Sequence, residues 1–395
     1  MKRVAIVAGE SSGDLLGAAL IRALRARFDD LEFYGIAGPK MIAEGARTLF
    51  PMEKLAVRGY VEVLKSLREI LAIRSKLGRR LLADRPDVFI GVDAPDFNLG
   101  LEAKLRAAGI RTVHYIAPAV WAWRSERIHA IKRAVEHMVV LLPFEEPIFR
   151  EAGMKVAYVG HPLASALPMK PDRDDARAQL RLAPSAPAVA LLPGSRVSEL
   201  ELHADLMIRA ARSLAESRPA LRFFAPFVTR ETRDYFEERL YALDARDLPI
   251  SILFGHATLA LHAADAALVA SGTATLQAAL ARCPMVITYR VPPLTYRLMK
   301  RKALLPYIGM PNILAGEFIV PELLQHDATP DNLAQALANW LDAKDARQRL
   351  RARYASIHER LACDHDRLVA EALEPYLSSH GQIARDSDRP VAVRR

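Results

Sequence analysis

Residues 4–27, VAIVAGESSGDLLGAALIRALRAR, carry the pattern that decides the fold. The apolar run at 4–8 predicts a short buried strand that ends at Gly9. Over residues 15–27 the spacing changes, because leucines recur every fourth position, and this predicts a helix with one apolar face. A strand that turns directly into a helix is the unit from which parallel sheets covered by helices are built.

The same alternation continues along the chain. Apolar runs predict further strands at 32–37, 86–92, 111–116, 138–142, 188–192, 221–225, 250–253, 266–270 and 285–289. Helical patterns separate them, notably at 61–84 and 99–108. The two halves are of comparable size and share this rhythm. They predict an α/β protein with two doubly wound, Rossmann-like lobes and a ligand cleft between them, facing the carboxyl ends of the strands.

The rhythm breaks between residues 163 and 187, a stretch that is rich in proline and contains a charged run at 172–175. Linkers between domains usually have this composition. The predicted division is therefore an N-terminal lobe at 1–165, a linker region at 166–187, a second lobe at 188–345, C-terminal helices at 346–377 and a disordered tail at 378–395.

Composition narrows the class of protein. The 395 residues include 55 Lys and Arg against 46 Asp and Glu, a net charge of +9, which favours an anionic partner. The two cysteines, Cys283 and Cys363, lie far apart, so neither a disulfide framework nor a zinc site is expected. No apolar run reaches the roughly 18 residues of a membrane-spanning helix, and the first twenty residues do not read as a secretory signal.

The turn at 9–14, GESSGD, lies between the first strand and its helix. Its small residues would let a ligand approach the backbone N–H groups at a helix start, with Glu10 and Ser12 beside it. The turn matches neither the dinucleotide pattern GxGxxG nor the hydrolase pattern GxSxG. A plain capped turn, with Ser12 or Asp14 as the cap, is the alternative.

Two carboxylates follow the strand at 86–92. Asp93 stands directly at the strand end, where a general base would face the cleft. Asp96 competes with it but could simply cap the following helix, so Asp93 is the preferred base. The nearby segment 114–124, HYIAPAVWAWR, has two tryptophans shortly after a proline, Pro118. They would either line the cleft or pack in the core.

The second half repeats the pattern of strand, small-residue turn and helix. Arg196 follows the strand at 188–192, where a guanidinium could pair with a diphosphate. Ser271, Gly272 and Thr273 follow the strand at 266–270 and offer N–H groups, hydroxyls and a helix dipole to a pyrophosphate. Gln277, one turn further, could reach a ribose hydroxyl. Asn312, in the loop at 309–316, has both donor and acceptor groups.

Jointly these segments resemble the lipid A disaccharide synthase family, over nearly the whole chain to about residue 375. The resemblance rests on GESSGD, PDVFIGVDAPDFN, HYIAPAVWAW, PFE at 143–145, VGHP at 159–162, LLPGSR at 191–196, SGTATL, PMV at 284–286 and PNILAG at 311–316. It implies the GT-B fold, with a UDP-sugar lobe at 188–345 and an acceptor and catalytic lobe at 1–165. The matching functional positions are Glu10, Ser12, Asp93, Arg196, Ser271 and Asn312.

The reaction that the resemblance implies joins UDP-2,3-diacylglucosamine to 2,3-diacylglucosamine 1-phosphate, giving a β(1→6) disaccharide 1-phosphate and UDP. We expect inversion, with Asp93 as base and without cofactor or metal, since Arg196 and the helix start after Ser271 would stabilise the leaving UDP. Gln277 departs from the family, which usually has Glu there. Ser11, Ala117 and Ala119 are smaller departures.

Acylated substrates require an apolar entry, and the family works peripherally on the cytoplasmic face of the inner membrane. A basic amphipathic helix can lie at such a surface and attract anionic lipid. The helix at 61–84 has this character, and its alternative is packing on its own sheet. The predicted membrane or acyl-chain residues are Val61, Val63, Leu64, Leu67, Ile70 and Leu71.

Two rival functions remain to be distinguished. A UDP-sugar 2-epimerase of the same fold would keep the turn at 271–273, which we call the SGT turn. It does not need the tryptophan pair or the apolar stripe at 61–71. A basic nucleic-acid-binding protein should show basic residues interleaved with aromatic ones. Here the cations are dispersed, so no nucleic-acid partner is expected. The sequence is compatible with a homodimer.

Overall fold

The computed structural model describes residues 1–55, 60–122 and 125–378. These residues form two compact units. Unit 1 comprises Met1–Ser165 together with the chain from Leu361 onward, and unit 2 comprises Ala166–Arg360. Within the described ranges, each helix is too short or too polar to cross a bilayer.

Each unit is built from parallel strands connected by helices. The strands are β1 (Lys2–Ala8), β2 (Leu31–Ile36), β3 (Arg47–Thr48), β4 (Val88–Val92), β5 (Arg111–Tyr115), β6 (His137–Val140), β7 (Lys155–Tyr158), β8 (Ala188–Leu192), β9 (Arg222–Phe227), β10 (Ile250–Phe254), β11 (Ala266–Ala270), β12 (Met285–Tyr289) and β13 (Glu322–Leu324). Those of unit 1 form one sheet in the order β3-β2-β1-β4-β5-β6-β7, and those of unit 2 form another in the order β10-β9-β8-β11-β12-β13.

Helices connect almost all successive strands and cover the sheets. They are α1 (Ser11–Arg27), α2 (Pro39–Ala43), α3 (Tyr60–Asp84), α4 (Pro95–Ala107), α5 (Ile128–Ala134), α6 (Glu145–Glu151), α7 (Pro162–Ala166), α8 (Arg173–Gln179), α9 (Val197–Ser217), α10 (Arg230–Ala242), α11 (Ala257–Ala263), α12 (Thr273–Leu280), α13 (Pro293–Lys302), α14 (Met310–Ala315), α15 (Pro330–Asp342), α16 (Lys344–Leu361) and α17 (His365–Leu377). Short 3₁₀ turns occupy Met52–Lys54 and Ser125–Arg127.

Both sheets reverse their strand order at an inner pair of strands. In unit 1 this pair is β1 and β4, whose carboxyl ends lie side by side because Ala8 pairs with Val92. In unit 2 it is β8 and β11, where Leu192 pairs with Val269. Open parallel sheets bind ligands outside the carboxyl ends of the strands at such a switch point. The predicted doubly wound α/β architecture is therefore confirmed, and it defines one candidate position in each unit.

Burial explains why the inner strands could be read from the sequence. Every residue of β4, β8 and β11 is buried, since helices cover both faces of the sheet, and such strands are continuous apolar runs. Short, partly exposed strands at the sheet edges gave no comparable signal. β3 has two exposed residues, and β7 and β13 are largely half-buried. These three strands were missed.

The end of the chain differs from the predicted division. Residues 346–377 do not form one separate group of helices, because the last helix, α17, packs against α1 of unit 1. Its apolar face buries Val369, Leu373 and Tyr376 in the core of that unit. Burial of this stripe, rather than sequence order, decides which unit the helix joins. The predicted tail at 378–395 lies, beyond Ser378, outside the described residues.

Candidate functional site

The turn after β1 places Glu10 and Ser12 at the switch point of unit 1. Glu10 is the residue that precedes α1, and its carboxylate Oε1 accepts a hydrogen bond of 2.7 Å from Ser12 Oγ. A Cβ on Gly9 would lie 2.6 Å from the Cβ of Ala94, so only glycine lets the turns after β1 and β4 approach this closely. The structure thus brings Glu10, Ser12 and the Asp93 turn to one edge of the sheet.

Asp93 occupies a strained turn. It and Ala94 have φ of 51° and 44°, the left-handed region that few non-glycine residues adopt. The Asp93 N–H donates to Tyr115 O at 2.9 Å, and the Asp93 carbonyl accepts from Asn98 Nδ2 at 2.8 Å. Strain of this kind persists only where the surroundings enforce it, and it concentrates at functional sites. Asp93 is half-buried at the end of β4.

Beneath Asp93 lies a buried ion pair that the sequence analysis did not identify. Glu102 Oε1 is 2.7 Å from His114 Nδ1, and neither side chain is exposed. Gly91 makes room for this pair, because a Cβ there would lie 2.2 Å from Glu102 Oε1. Three buried atoms of this cluster, His114 Nε2, Glu102 Oε2 and Asn98 Oδ1, have no hydrogen-bond partner among the described protein groups.

Burial by itself would lower the pKa of His114. The charge of Glu102, its hydrogen bond and the charge of Asp93 oppose this effect, and the pKa is raised above its ordinary value. His114 is therefore favoured as an imidazolium next to Glu102 and in the field of Asp93.

Two other acids near these turns have structural roles. Asp14 is buried and accepts from the N–H groups of Lys40 and Met41, so it caps α2 rather than its own turn. Asp96 is exposed and pairs with Arg127 at 2.8 Å. Ala94 is the residue that precedes α4, and no side chain caps it. The choice of Asp93 over Asp96 stays a prediction, to which the half-burial of Asp93 adds support.

The first tryptophan of the aromatic segment is fixed by packing. Trp121 Nε1 donates to Glu145 Oε1 at 3.0 Å, and its ring meets Phe144 edge-on at 5.0 Å. Burial raises the pKa of Glu145 to about 7, although N–H donors from Trp121 and Leu142 oppose the shift. Trp123 lies outside the described residues.

At the switch point of unit 2, the turn of Ser271, Gly272 and Thr273 opens α12. Gly272 has φ of 137°, and a Cβ on it would meet no atom within 4 Å, so glycine is needed here for backbone conformation rather than for space. No side chain caps the helix, and Gly272 and Thr273 are exposed. Thr275 Oγ1 instead donates a hydrogen bond to Gly272 O, three residues earlier, at 2.8 Å. The first N–H groups of α12 thus lie at an exposed, uncapped helix start, which is a candidate position for an anion.

Arg196 lies across the same switch point, after β8. Its Nη1 donates to Glu199 Oε1 at 3.0 Å, while Glu199 Oε2 accepts from the Ser195 N–H at 2.7 Å. The guanidinium is part-exposed. Arg196 is the residue that precedes α9, and its side chain does not cap the helix. A negatively charged ligand would compete with Glu199 for this arginine.

Gln277 lines a cavity of about 630 Å³ within unit 2. Its Nε2 donates to Thr258 Oγ1 at 2.9 Å, joining α12 to the start of α11. Gly255 and His256, which follow β10, both have positive φ and form the rim. The other lining residues are Pro168, Asp172, Asp175, Ala176, Gln179, Val228, Ala257, Leu259 and His262.

Asn312 is fully buried, and its side-chain amide is used internally. Nδ2 donates to Val320 O and Glu322 Oε1, and Oδ1 accepts from the N–H groups of Ile319 and Val320. Glu322 also accepts from the N–H of Gly309. Asn312 itself lies in α14, so its amide holds residues 319–322 after that helix and has no remaining donor for a ligand.

The loop that follows α13 reaches the SGT turn, and Glu322 holds this loop by accepting from the N–H groups of Ile308 and Gly309. Ser271 Oγ lies 3.5 Å from Ile308 O, and the Met310 N–H donates to Thr275 Oγ1 at 3.1 Å. Asn312 therefore bears on the candidate pyrophosphate position indirectly, because its Nδ2 donates to the Glu322 carboxylate that holds this loop.

The apolar stripe of α3 divides into two faces. Leu67 and Leu71 are 39% and 41% exposed, whereas Ile70 packs partly against the core of unit 1. The side chains of Val61, Val63 and Leu64 lie outside the described residues. In the described part of α3, one face packs into the core of unit 1 and a second face presents apolar groups to solvent.

Sequence reasoning missed the loop after β10 and the pair beneath Asp93. The first could have been found, since β10 was predicted and the carboxyl ends of parallel strands share one edge. The second had no local signal. Glu102 and His114 are ordinary members of a helix and a strand, and only the packing of α4 on β5 brings them together.

The chain is similar to known proteins over nearly its whole length. Residues 4–373 match the family model described as lipid-A-disaccharide synthetase. The lipid-A-disaccharide synthase of Methylobacillus flagellatus is 55% identical over 377 residues, covering 95% of this chain and 100% of that protein. That of Aromatoleum aromaticum is 54% identical, covering 95% of this chain and 96% of that protein.

Solved structures with the same fold have much lower identity. The Staphylococcus aureus MnaA–UDP co-structure has a TM-score of 0.63 and 13% identity, and the match covers 95% of this chain and 97% of that one. CalG4, the calicheamicin glycosyltransferase, has a TM-score of 0.59 and 15% identity, with 97% and 99% covered. Similarity at this level shows the fold, which is that of GT-B glycosyltransferases and epimerases.

Proposed function

The chain belongs to the lipid-A-disaccharide synthetase family, and on this premise we propose which residues carry out its reaction and where it acts. The protein is a glycosyltransferase that forms the lipid A disaccharide. The proposed donor is UDP-2,3-diacylglucosamine and the proposed acceptor is 2,3-diacylglucosamine 1-phosphate. The observation that carries the proposal is Asp93, a carboxylate enforced in a strained turn at the switch point of unit 1.

Unit 2 would bind the nucleotide. The cavity at Gln277 and Thr258 has the size of a small-molecule site and would take the uridine, with Gln277 on a ribose hydroxyl. The uncapped start of α12 at Ser271, Gly272 and Thr273 would receive the diphosphate. Arg196 would exchange its bond with Glu199 for a charge-assisted bond to a phosphate oxygen. Asn312 would act indirectly, by fixing the Glu322 carboxylate that holds the loop against which this turn rests.

Unit 1 would supply the proton transfer. Asp93 removes the proton from the acceptor 6-hydroxyl while that oxygen attacks the anomeric carbon, and the bond from this carbon to the UDP oxygen breaks. The attack comes from the face opposite UDP, so the configuration inverts. Arg196 and the α12 start stabilise the charge that develops on UDP. Glu10, with Ser12 bonded to it, would orient sugar hydroxyls at the same sheet edge.

The direct test is to incubate the protein with acylated UDP-glucosamine and acylated glucosamine 1-phosphate. Release of UDP together with a disaccharide 1-phosphate is the expected result. Formation of an epimerised sugar without disaccharide would instead support the rival activity of the same fold. Release of UDP without any condensed product would contradict transfer.

Replacing Gln277 by Ala is expected to weaken UDP binding by about tenfold, the loss of roughly one hydrogen bond. Replacing it by Glu should tighten binding, because a carboxylate accepts a stronger bond from a ribose hydroxyl. The Thr258 hydroxyl, which accepts from Gln277 in the unaltered protein, can instead donate to the glutamate. Calorimetric titration with UDP measures both effects.

The matched control for Gln277 is Gln335→Ala on α15, since Gln335 is exposed and does not line the cavity. Its UDP affinity should equal that of the unaltered protein. If Gln277→Ala also binds UDP unchanged, the uridine lies elsewhere in unit 2.

The exposed face of α3 is the proposed contact with the membrane surface. Leu67 and Leu71 are both more than a third exposed, and Arg68 and Lys76 nearby are exposed cations. Apolar groups flanked by cations are attracted to anionic bilayers. We therefore place the enzyme peripherally on the inner face of the inner membrane, where its acylated substrates would enter.

Leu67→Ser with Leu71→Ser is expected to reduce binding to anionic vesicles by about tenfold or more, because two exposed leucine side chains are lost. Co-sedimentation measures the binding, and the melting temperature should hardly change. Leu202→Ser with Tyr241→Ser removes exposed apolar surface elsewhere and serves as the control. Equal vesicle binding by both double variants would remove α3 from this role.

A further inference from the structure

A second cavity of unit 2, of about 500 Å³, is lined by cations. Arg297, Lys300 and Arg301 of α13 form one wall, with Tyr296 beside them. Gln325 and His326, which follow β13, form the facing wall. This cavity shares no lining residue with the cavity at Gln277. The proposed nucleotide site does not use it.

The three cations are placed together on one helix face. Positions 297, 300 and 301 are three and four residues apart, so their side chains project side by side. All three are exposed. Like charges at this spacing repel and destabilise a helix, unless an anion lies between them. This repulsion lowers the stability of the free protein, and a bound anion would reduce the repulsion.

In the part of the chain that the structure describes, these three cations have no carboxylate partner. The lining of the cavity contains no carboxylate, and within the described residues none of the three cations forms an ion pair. Exposed or half-exposed cations elsewhere in the chain are commonly paired, as Arg239 is with Asp205 and Arg353 with Glu317. The charge of this cavity is therefore available to a ligand.

The facing wall is held in place by backbone contacts. Gln325 has φ of 51°, and its N–H donates to Tyr289 O at 3.1 Å. With its amide oriented to satisfy both ends, the side chain donates to Val291 O at 3.2 Å and accepts from Val291 N at 2.9 Å. This pairing fixes the segment that leads into α13 against the end of β13. The cavity is thus held between two joined elements.

We propose that this cavity is a binding site for a phosphate group. Two guanidinium forks and one ammonium group match the several oxygens and the roughly two negative charges of a phosphate monoester better than a single carboxylate. Tyr296 and His326 add polar groups at the edge. The phosphate could belong to a soluble sugar phosphate or to a lipid headgroup, which share this chemistry. Leu304, 55% exposed and close after α13, is an apolar neighbour that a bilayer would cover.

The test neutralises the three cations in the full chain, as Arg297→Gln with Lys300→Gln and Arg301→Gln. The control neutralises Arg209, Arg246 and Arg349, which are exposed cations of unit 2 outside the cavity, so both triple variants have the same net charge. Two probes are used. One is glucosamine 1-phosphate in calorimetric titration, and the other is vesicles of phosphatidylcholine with or without phosphatidic acid.

We expect the α13 variant to lose about tenfold or more in affinity for at least one probe, while the control variant loses little. A loss for phosphatidic acid vesicles alone assigns the site to lipid headgroups. A loss for glucosamine 1-phosphate, with or without a loss for the vesicles, assigns it to soluble sugar phosphates. Equal binding of both triple variants to both probes overturns the proposal. Thermal melting and Lys300→Gln alone separate a binding defect from unfolding, because the single variant changes one exposed side chain.

Discussion

Replacing Asp93 by Asn is expected to lower kcat by about 10²–10⁴-fold, the usual contribution of a general base. Asn keeps the size of the side chain and can occupy the same turn, but it cannot accept the proton of the acceptor hydroxyl. The bonds of the Asp93 backbone to Tyr115 and Asn98 do not involve the carboxylate, so the fold should persist. UDP release in a steady-state assay measures the effect.

Asp96→Asn is the matched control, since it makes the same chemical change three residues away. The Asp96 carboxylate is exposed and pairs with Arg127, and such surface pairs contribute about 0–1 kcal/mol. Its kcat should stay within a few-fold of the unaltered protein. UDP affinity, which we assign to unit 2, should be equal in both variants. Substantial residual turnover by Asp93→Asn would remove Asp93 as the base.

The second large effect is on stability. Glu102→Ala is expected to lower the free energy of unfolding by about 3–5 kcal/mol, because it leaves His114 buried without its partner. Urea titration, followed by circular dichroism, measures the loss. Exposed Glu126 provides a control, and Glu126→Ala should change the stability by less than about 0.5 kcal/mol.

This loss should depend on pH in a defined direction. The pKa of His114 is raised above the value of about 6.5 that it has in the unfolded chain. The stabilisation from the ion pair is therefore complete below about pH 6.5 and is lost as the pH rises through the raised pKa of the folded protein. The difference in stability between the unaltered protein and Glu102→Gln should be largest in mild acid and should shrink in base.

Replacing both partners by leucine distinguishes the ion pair from simple packing. In Glu102→Ala the buried His114 imidazole has no partner, and the double variant removes this imidazole as well. Glu102→Leu with His114→Leu should therefore recover part of the stability lost in Glu102→Ala. If Glu102→Ala costs less than about 1 kcal/mol at every pH, the pair does not hold this region.

The parts of the site that were predictable lie at the ends of buried strands. Asp93, Arg196 and Ser271 each follow an apolar run that the sequence marks clearly, and parallel strands bring such ends to one edge. Gln277 followed from its position one turn beyond Ser271, and it does line a cavity. These positions depend on local order along the chain, which is why they could be read from it.

The side-chain partners could not be read in the same way. Asp14 and Asn312 have the residue types of ligand-binding groups, yet one caps α2 and the other is saturated by a backbone loop. Each partner is separated in sequence, and the choice between ligand and protein depends on which N–H groups come within about 3 Å. The type of a polar residue in a motif therefore does not predict its hydrogen-bond partners.

The sequence by itself determined the two doubly wound units and the strand ends that carry Asp93 and the SGT turn. It could do so because periodic burial of apolar side chains is a local property, repeated from VAIVAGESSGD at residues 4–14 to the strand at 285–289. Only the tertiary structure decided that Glu102 and His114 meet beneath Asp93, that α17 joins unit 1, and that the cations of α13 face His326. Those contacts join distant segments, and their free energies arise from desolvation and charge in three dimensions, which spacing along the chain does not encode.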